Sequence, residues 1–386
     1  MVDKTAEHSN YKISEIECLR AVAILFTLFH HSVVYLMIPP NQNIMKIYEH
    51  FTFWGGVDLF FVISGFVIMK SFSKSLMNSN MQYGSSAKIF WIKRAFRILP
   101  PAWFWLIVYL LATKYTNYTG AFGDLQQNLK DSMAALFQYA NIYGLNCWGT
   151  NGTFACGPNG IYWSLSLEEQ FYILLPIVIF LFRKYLTWLL LIAGLAQVCL
   201  RRPAWEFWWA VRTDTLIWGV LIAVWSQKIS YKKYEPKFLG NNLILRLSII
   251  ILSVFGMAYL PADPNQILIG TGLLGLICAV LVWLSSYDKG YLFGSTGMIK
   301  KIMVWLGTRS YSLYLIHVIV FRFTLEIFYQ LTPVGYRPLP GDFYKLLAIS
   351  IPILFIIGEL SYRFIEQPFR KLGLKLVIGL NPTNHK

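Results

Sequence analysis

The sequence predicts an all-α integral membrane protein, a bundle of about ten transmembrane helices with a central polar cavity. Of the 386 residues, 56% are hydrophobic and only 14% are charged, and the mean hydropathy is +0.49. A soluble globular domain has about 25% charged residues, so this chain has too few to cover a surface that faces water. Apolar segments recur along the whole chain, and several of them contain ionisable residues.

Ten segments are long enough to cross a bilayer, which takes roughly 17–25 residues each. They lie at about 16–38, 53–70, 98–113, 167–182, 185–200, 206–226, 243–260, 266–285, 303–330 and 344–366. The fourth and fifth form the weakest pair, because only "FRKYL" separates them. We expect one transmembrane domain over residues 1–386, with short cytoplasmic tails, an outer loop at about 114–166, no cleaved signal peptide and no fused soluble domain.

Lysine and arginine counts orient the bundle. With the N-terminus inside, 23 of the 34 basic residues fall in cytoplasmic segments or at their edges, and seven fall on the opposite side. The four at membrane depth are Arg20, Arg212, Arg309 and Arg322. Because cytoplasmic loops carry an excess of basic residues, both termini are predicted to be cytoplasmic. The net charge of +15 then reflects topology, and no nucleic-acid partner is expected.

Cys147 and Cys156 lie in the predicted outer loop, within "NCWGTNGTFACGP". An oxidising compartment allows a disulfide to persist, and we favour this bridge over two free thiols. The remaining cysteines fall in or beside predicted helices and are interpreted as apolar packing residues.

The first predicted helix carries a polar stripe within "LRAVAILFTLFHHS". An arginine inside a spanning helix costs about 2.5–3.5 kcal/mol on the insertion scale. Arg20 and His31 share one face of an ideal helix and lie about 16 Å apart along its axis. His30 points about 100° away from His31. We interpret the stripe as a link between the two membrane faces; the alternative is a snorkelling arginine and a hydrogen-bonded structural histidine.

Asp58 lies near the outer end of the second predicted helix, "WGGVDLFFVISGFVIMK", at the level of His31. A carboxylate that hydrogen-bonds an imidazole fixes its tautomer and raises its basicity. We therefore expect Asp58 to orient His31. Ser64 and the glycines of this segment favour close helix packing, and no nucleophile-elbow pattern surrounds the serine.

Two further charged pairs stand beside apolar segments. Arg94 and Arg97 are spaced i, i+3 in "WIKRAFRILPPAW", which on a helix makes a two-pronged clamp suited to phosphate oxygens; simple positive-inside flanking is the alternative. Glu168 and Glu169 begin the segment "SLSLEEQFYILLP", where the helix dipole stabilises carboxylates. Adjacent positions point in different directions, so at most one of the two faces a central cavity.

Four more ionisable residues lie within apolar segments, namely Arg212, Asp214, His317 and Glu359. Any one of them can be a satisfied interhelical bond. So many in one bundle argue for a water-accessible cavity, and we count them as cavity candidates.

These motifs together resemble the acyltransferase family 3 membrane proteins. The matching pieces, in family order from residue 18 to 371, are the Arg20–His31 element, "GGVDLFFVISGF", the Arg94–Arg97 element, "WSLSLEEQFY", "RTDTLIWG", "YSLYLIH" and "SYRFIEQPFRK". The resemblance implies ten helices in the plasma (inner) membrane with both ends cytoplasmic. It also implies transfer of an acyl group, usually acetyl, from cytoplasmic acyl-CoA to a hydroxyl of a surface polysaccharide or lipid-linked glycan.

The resemblance assigns roles to the residues singled out above. The expected acyl-CoA-binding residues are Arg20, Arg94 and Arg97. The catalytic candidates are His31, Asp58, Glu168 and Glu169. His31 is the preferred general base, a role that typically contributes 10²–10⁴-fold, and His30 is the second candidate. No metal is expected.

The rival interpretation is a secondary transporter or exporter of a glycan or small anionic substrate, since buried charges in a helical bundle suit both functions. Transporters often show inverted repeats and broken helices, and the sequence shows neither. A non-catalytic scaffold is a third alternative, but it does not need a polar stripe. The sequence does not identify the acceptor hydroxyl, the acyl length, the oligomeric state, or whether a covalent acyl-enzyme forms.

The charge distribution makes a testable prediction about topology. Reporter fusions after about residue 80 and after residue 380 should report the cytoplasm, and a fusion near residue 130 should report the outer compartment, because the basic segments stay inside. Reversal at any of the three positions contradicts the predicted orientation.

Overall fold

The computed structural model describes residues 12–76, 83–149, 152–153, 155–262, 267, 269–333 and 335–379, and every regular element in these ranges is a helix. The α-helices are α1 (Ser14–Leu36), α2 (Gln42–Tyr48), α3 (Gly56–Leu76), α4 (Tyr83–Tyr115), α5 (Leu125–Leu136), α6 (Ala140–Leu145), α7 (Tyr162–Phe182), α8 (Leu186–Val198), α9 (Phe207–Ala210), α10 (Asp214–Trp225), α11 (Ile229–Lys233), α12 (Leu243–Tyr259), α13 (Gly270–Ser285), α14 (Met298–Thr308), α15 (Ser310–Leu331), α16 (Asp342–Ser361) and α17 (Gln367–Gly379). A 3-10 turn at Lys237–Leu239 precedes α12, and a π-helical turn at Tyr362–Glu366 joins α16 to α17.

Seven helical stretches of the described chain are long and apolar enough to cross a membrane, so the protein is a multi-pass membrane protein. They are α1, α3, α4, α7, the α9–α10 stretch, α15 and the α16–α17 stretch. The segment from α11 to α12 passes the same test only as a pair bent by 105°, which gives up to eight spans. Helices α8 and α13 are apolar but shorter. The all-helical class is confirmed, and the count of ten stays a prediction.

Helix α4 differs from the predicted third segment. It runs unbroken for 33 residues and contains Pro100 and Pro101, whereas the sequence predicted a segment that begins only at about residue 98. Proline ends most helices in water, but in a packed bundle neighbouring helices can satisfy the carbonyls that it frees. The boundary was therefore wrong, and Arg94 and Arg97 lie on the same helix as the span that follows them.

Two glycines let the backbones of α3 and α10 approach each other closely. A Cβ atom on Gly65 would lie 2.0 Å from the carbonyl oxygen of Leu216, and one on Gly219 would lie 2.1 Å from that of Val62. Any side chain at either position would collide with the facing backbone. The two glycines thus allow the helices to touch, as small residues do in membrane helix pairs.

Backbone amides fix the first turn of α1. The carboxylate of Glu15 accepts four N–H bonds of 2.9–3.2 Å from Gly290, Tyr291, Leu292 and Phe293. The hydroxyl of Ser14 donates to Asp288 at 2.7 Å. The N-terminal turn of α1 is therefore bound to the segment between α13 and α14.

The last turn of α1 is fixed as well. The hydroxyl of Tyr35 donates to the carbonyl of Pro158 at 2.7 Å. Pro158 follows the disulfide between Cys147 and Cys156, the two cysteines paired in the sequence analysis, whose Cα atoms lie 5.4 Å apart. We call the end of the bundle at Glu15 the basic end, because Arg94 lies there too, and the opposite end at Cys147–Cys156 the disulfide end.

The α3–α10 contact generates a stability prediction. Gly219→Val should lower the free energy of unfolding by about 3 kcal/mol or more, at the upper end of overpacking costs, because the new side chain meets backbone that cannot move aside. Thermal unfolding in detergent measures the change. Gly84→Ala is the control, since nothing lies within 4 Å of a Cβ there, and it should be neutral or slightly stabilising. Equal melting temperatures for all three proteins would contradict this account of the contact.

Candidate active site

A pocket of about 80 Å³ lies at the basic end, between α1, α3, α4, α7 and α15. Arg20, Arg94 and Arg97 line it together with Glu168. Their helices reach this place from distant parts of the chain. The structure thus brings four of the residues singled out from the sequence to one pocket, three of them cations.

The three arginines of the pocket form no ion pair with any carboxylate of the described ranges. The Nε atom of Arg20 is buried and has no hydrogen-bond partner. The guanidinium of Arg94 lies 5.8 Å from the ring centroids of both Phe90 and Tyr172. Unpaired cations gathered around one pocket produce a site that favours a multiply charged anion.

Glu168 and Glu169 differ in position. Glu168 lines the pocket, with the side chains of Ser64 and Tyr172 beside its carboxylate. Glu169 is 7% exposed and does not line the pocket, and its Oε1 atom is buried without a partner. Only Glu168 therefore faces the pocket, as expected for adjacent positions of one helix.

Two histidines from different helices form a hydrogen-bonded pair. The Nδ1 atom of His31 lies 2.7 Å from Nε2 of His317, and the two ring centroids are 4.8 Å apart. The Nδ1 atom of His317 lies 2.6 Å from the backbone carbonyl of Tyr314, one turn earlier on α15. His317 is fully buried, whereas His31 is half-buried.

The carbonyl of Tyr314 assigns the tautomers of both rings. Because a carbonyl oxygen only accepts, Nδ1 of His317 carries the proton, and Nε2 of the neutral ring is an acceptor. His31 must then donate from its Nδ1, which leaves its own Nε2 with a free lone pair. One backbone carbonyl thus makes Nε2 of His31 the basic atom of the pair.

Tyr314 also connects the pocket to the histidine pair. Its hydroxyl lies 2.7 Å from Oγ of Ser164 and donates to the carbonyl of Ile161 at 2.9 Å. Both Tyr314 and Ser164 line the pocket. The deep end of the pocket and the histidine pair therefore lie on neighbouring turns of α15. In the motif "YSLYLIH" the sequence pointed only to His317, and nothing in it predicted a role for Tyr314.

The expectation that Asp58 orients His31 is wrong. Asp58 is fully buried in an ion pair with Arg212, with Nε–Oδ1 and Nη2–Oδ2 distances of 3.1 and 3.3 Å. The Arg212 guanidinium also lies 4.3 Å from the ring centroid of Trp209 and 4.8 Å from that of Trp163. The partner of Asp58 comes from the turn between α9 and α10, and the partner of His31 comes from α15. The position of Asp58 along its own helix does not reveal either partner.

The remaining candidates also stand away from the pocket. Asp214 pairs with Arg202 at 2.6 and 2.9 Å, and both are buried. Glu359 binds Arg309 and Arg363. Arg212, Asp214 and Glu359 are therefore members of ion pairs, and none of them lines the pocket.

His30 is separate from the histidine pair. Its ring stacks on Tyr48 of α2, with centroids 6.1 Å apart, and its Nδ1 atom is buried without a partner. His30 and His31 therefore point to different sides of α1, as calculated for an ideal helix. The preference for His31 as the base stays a prediction.

The chain has recognisable relatives. The family model described as an acyltransferase domain matches residues 13–366. The peptidoglycan O-acetyltransferase OatA of Listeria monocytogenes is 26% identical over 396 residues, and the O-acetyltransferase OatA of Staphylococcus aureus is 30% identical over 347. The alignments cover 96% and 83% of this chain but 58% and 53% of the two relatives. No solved structure matches the chain significantly.

The geometry of Asp58 predicts a structural phenotype. Asp58→Asn leaves the buried Arg212 without its counter-charge, and breaking such a pair costs about 3–5 kcal/mol. Thermal unfolding should show this loss. Arg363→Gln is the control, because Arg363 is 65% exposed and an exposed pair is worth about 0–1 kcal/mol. An Asp58→Asn protein of normal stability but low turnover would contradict this structural role and indicate that Asp58 takes part in the reaction.

Proposed function

Because the chain belongs to acyltransferase family 3, we propose that it is a membrane O-acetyltransferase that moves an acetyl group from acyl-CoA to a polysaccharide hydroxyl. One observation carries the proposal. The hydrogen bonds that run from the Tyr314 carbonyl through His317 to His31 leave Nε2 of His31 basic, and they begin one helical turn from His317 at a residue that lines the pocket of three unpaired arginines. The first supplies a general base, and the second supplies an anion site. A group transfer between a phosphorylated donor and a hydroxyl needs both.

The arginines are the proposed donor site. Coenzyme A carries several phosphate charges, and arginine guanidinium groups match phosphate oxygens in two-pronged geometry. Arg94 and Arg97 would hold these phosphates, while Arg20 guides the arm that carries the thioester towards Tyr314. Glu168, on the same pocket, would offset part of the repulsion among the three cations when the donor is absent.

His31 is the proposed base. Its Nε2 takes the proton of the acceptor hydroxyl as the sugar oxygen attacks the thioester carbonyl. The carbon–sulfur bond then breaks, and the leaving thiolate takes this proton from the imidazolium, which gives free coenzyme A and restores neutral His31. The Nδ1–H bond to His317 is present in both forms of His31, so the partner ring holds the base in place throughout.

The proposed membrane arrangement follows from these two sites. The basic end faces the cytoplasm, where acyl-CoA is available, and the disulfide end faces the oxidising side, where the glycan is. Ten spans result if the bent α11–α12 segment and the two short helices α8 and α13 also cross. The bilayer in this proposal is the plasma membrane.

The names of the relatives suggest the acceptor. One relative is named for peptidoglycan, so peptidoglycan or a lipid-linked glycan precursor is the proposed substrate. Because the chain spans only part of the length of these relatives, another protein region or a partner can take part in the final delivery.

Transfer and donor binding test the proposal separately. His31→Ala should lower acetyl transfer to glycan by about 10²–10⁴-fold and leave acetyl-CoA affinity within about two-fold, since the base lies about 16 Å from Arg20. Arg94→Ala should weaken acetyl-CoA binding by about ten-fold, the loss expected for one charge-assisted contact. Calorimetry in nanodiscs and release of coenzyme A measure the two effects.

The control is His50→Ala, which removes an exposed imidazole and should change neither measurement. His317→Ala should slow transfer at least ten-fold, because His31 then loses the acceptor that fixes its tautomer. Near-normal transfer by His31→Ala refutes the base. Transport of a glycan without release of coenzyme A by the wild type supports the transporter instead.

A further inference from the structure

Arg322 lies outside the pocket and has no carboxylate partner among the described residues. Arg202, Arg212 and Arg309 each hold one. Arg322 forms no ion pair with any described residue, and its Nε atom is buried without a partner. A cation left unpaired in this way is costly in a membrane protein.

Arg322 lies beside the histidine pair, towards the disulfide end. Its guanidinium carbon is 4.6 Å from the ring centroid of Tyr35. The Tyr35 ring in turn lies 5.6 Å from the His31 ring, one turn earlier on α1. Arg322, Tyr35 and His31 all retain some exposed surface. A small molecule that approaches Nε2 of His31 from this end would meet Tyr35 and Arg322.

A carboxylate without a cation faces the same tyrosine. Asp131 on α5 is 7% exposed and forms no ion pair within the described ranges. Tyr143 and the backbone of Gly157 lie beside it. The loop at Gly157 places Asp131 near Tyr35: a Cβ on Gly157 would lie 3.0 Å from Oδ2 of Asp131, and the hydroxyl of Tyr35 donates to the carbonyl of the next residue, Pro158, at 2.7 Å. Asp131 and Arg322 therefore both lie near Tyr35, and no ion pair joins them.

This arrangement has the chemistry of a hydroxyl-binding site. A hydroxyl group both donates and accepts, so neighbouring hydroxyls of a sugar can donate to Asp131 and accept from Arg322 together. A purely anionic ligand would gain from Arg322 but be repelled by Asp131.

We infer that Asp131, Arg322 and Tyr35 form the binding subsite for the acceptor sugar, a neutral ring with adjacent hydroxyls. The inference rests on the proposed function, because it takes His31 as the base that the bound hydroxyl meets. Asp131 and Arg322 are binding residues in this scheme, and neither takes part in the proton transfer itself.

Sugar binding without a donor tests the subsite independently of turnover. Chitotetraose, a neutral oligosaccharide, is titrated calorimetrically into the full chain in nanodiscs. Asp131→Asn and Arg322→Gln should each weaken binding about ten-fold, the loss expected for one hydrogen bond to a charged group. Acetyl-CoA affinity, measured on the same preparations, should remain within two-fold and shows that each variant is folded.

Matched controls come from the loops at the disulfide end of the bundle. Asp124→Asn removes a carboxylate from the N-cap of the same helix, where asparagine caps equally well. Arg337→Gln removes an exposed cation. Both should bind chitotetraose within two-fold of the wild type.

The pH dependence provides a second readout. Burial raises the pKa of Asp131 to about 7, and the Tyr143 hydroxyl and the Gly157 backbone act in the opposite direction. Tyr35 and Tyr109 lie close enough to respond to its charge and to that of Arg322. The carboxylate is therefore charged above pH 7, and wild-type sugar affinity should rise between pH 6 and pH 8. Asp131→Asn should show no such rise, because its amide does not titrate.

Three outcomes overturn the inference. They are no chitotetraose binding by the wild type, equal affinity in both variants and the controls, and binding of an oligogalacturonate that depends on Arg322 but not on Asp131, which indicates an anion site. Chitotetraose binding that follows the predicted pattern, in a protein that never releases coenzyme A from acetyl-CoA, supports the subsite and refutes the proposed function.

Discussion

A charge at membrane depth must find its partner inside the protein, and this requirement organises the bundle. Hydrocarbon offers no water to an exposed ion, so an isolated charge is expelled or neutralised. Three ion pairs within the protein meet this requirement, namely Asp58–Arg212, Arg202–Asp214 and Arg309–Glu359. Each pair joins two segments of the bundle and stabilises the fold. The cations without such partners mark the places where another molecule can supply the missing charge or hydrogen bond.

The candidate site depends on backbone more than on charge. The carbonyl of Tyr314 sets the tautomers of two rings, and glycines bring α3 close to α10 and so to Arg212, which lies just before α10. A neutral imidazole stabilises an imidazolium less than a carboxylate does. A thioester donor is already activated, however, so a base with a neutral partner is adequate for the proposed transfer.

Much of the site follows from helix geometry in the sequence. Arg20 and His31 share a face because of their spacing, and Arg94 and Arg97 form a pair because they are i, i+3. These are properties of single helices. The partner of Asp58 lies 154 positions away, in the turn between α9 and α10, and no local sequence pattern records where that turn packs. The role of Arg322 was equally hidden, because only the packed structure shows which arginines lack carboxylates. The start of α4 was misplaced because proline in a packed bundle is not the terminator that it is in water.

Helix α1 is bound at both ends, by Glu15 to four amides and by Tyr35 to Pro158. The rise of the helix sets the gap of about 16 Å between Arg20 and His31, and the two bound ends stop α1 from sliding along the neighbouring helices. Under the proposed function a donor has to match this fixed gap, so the length of its arm would decide whether the acyl group reaches the base.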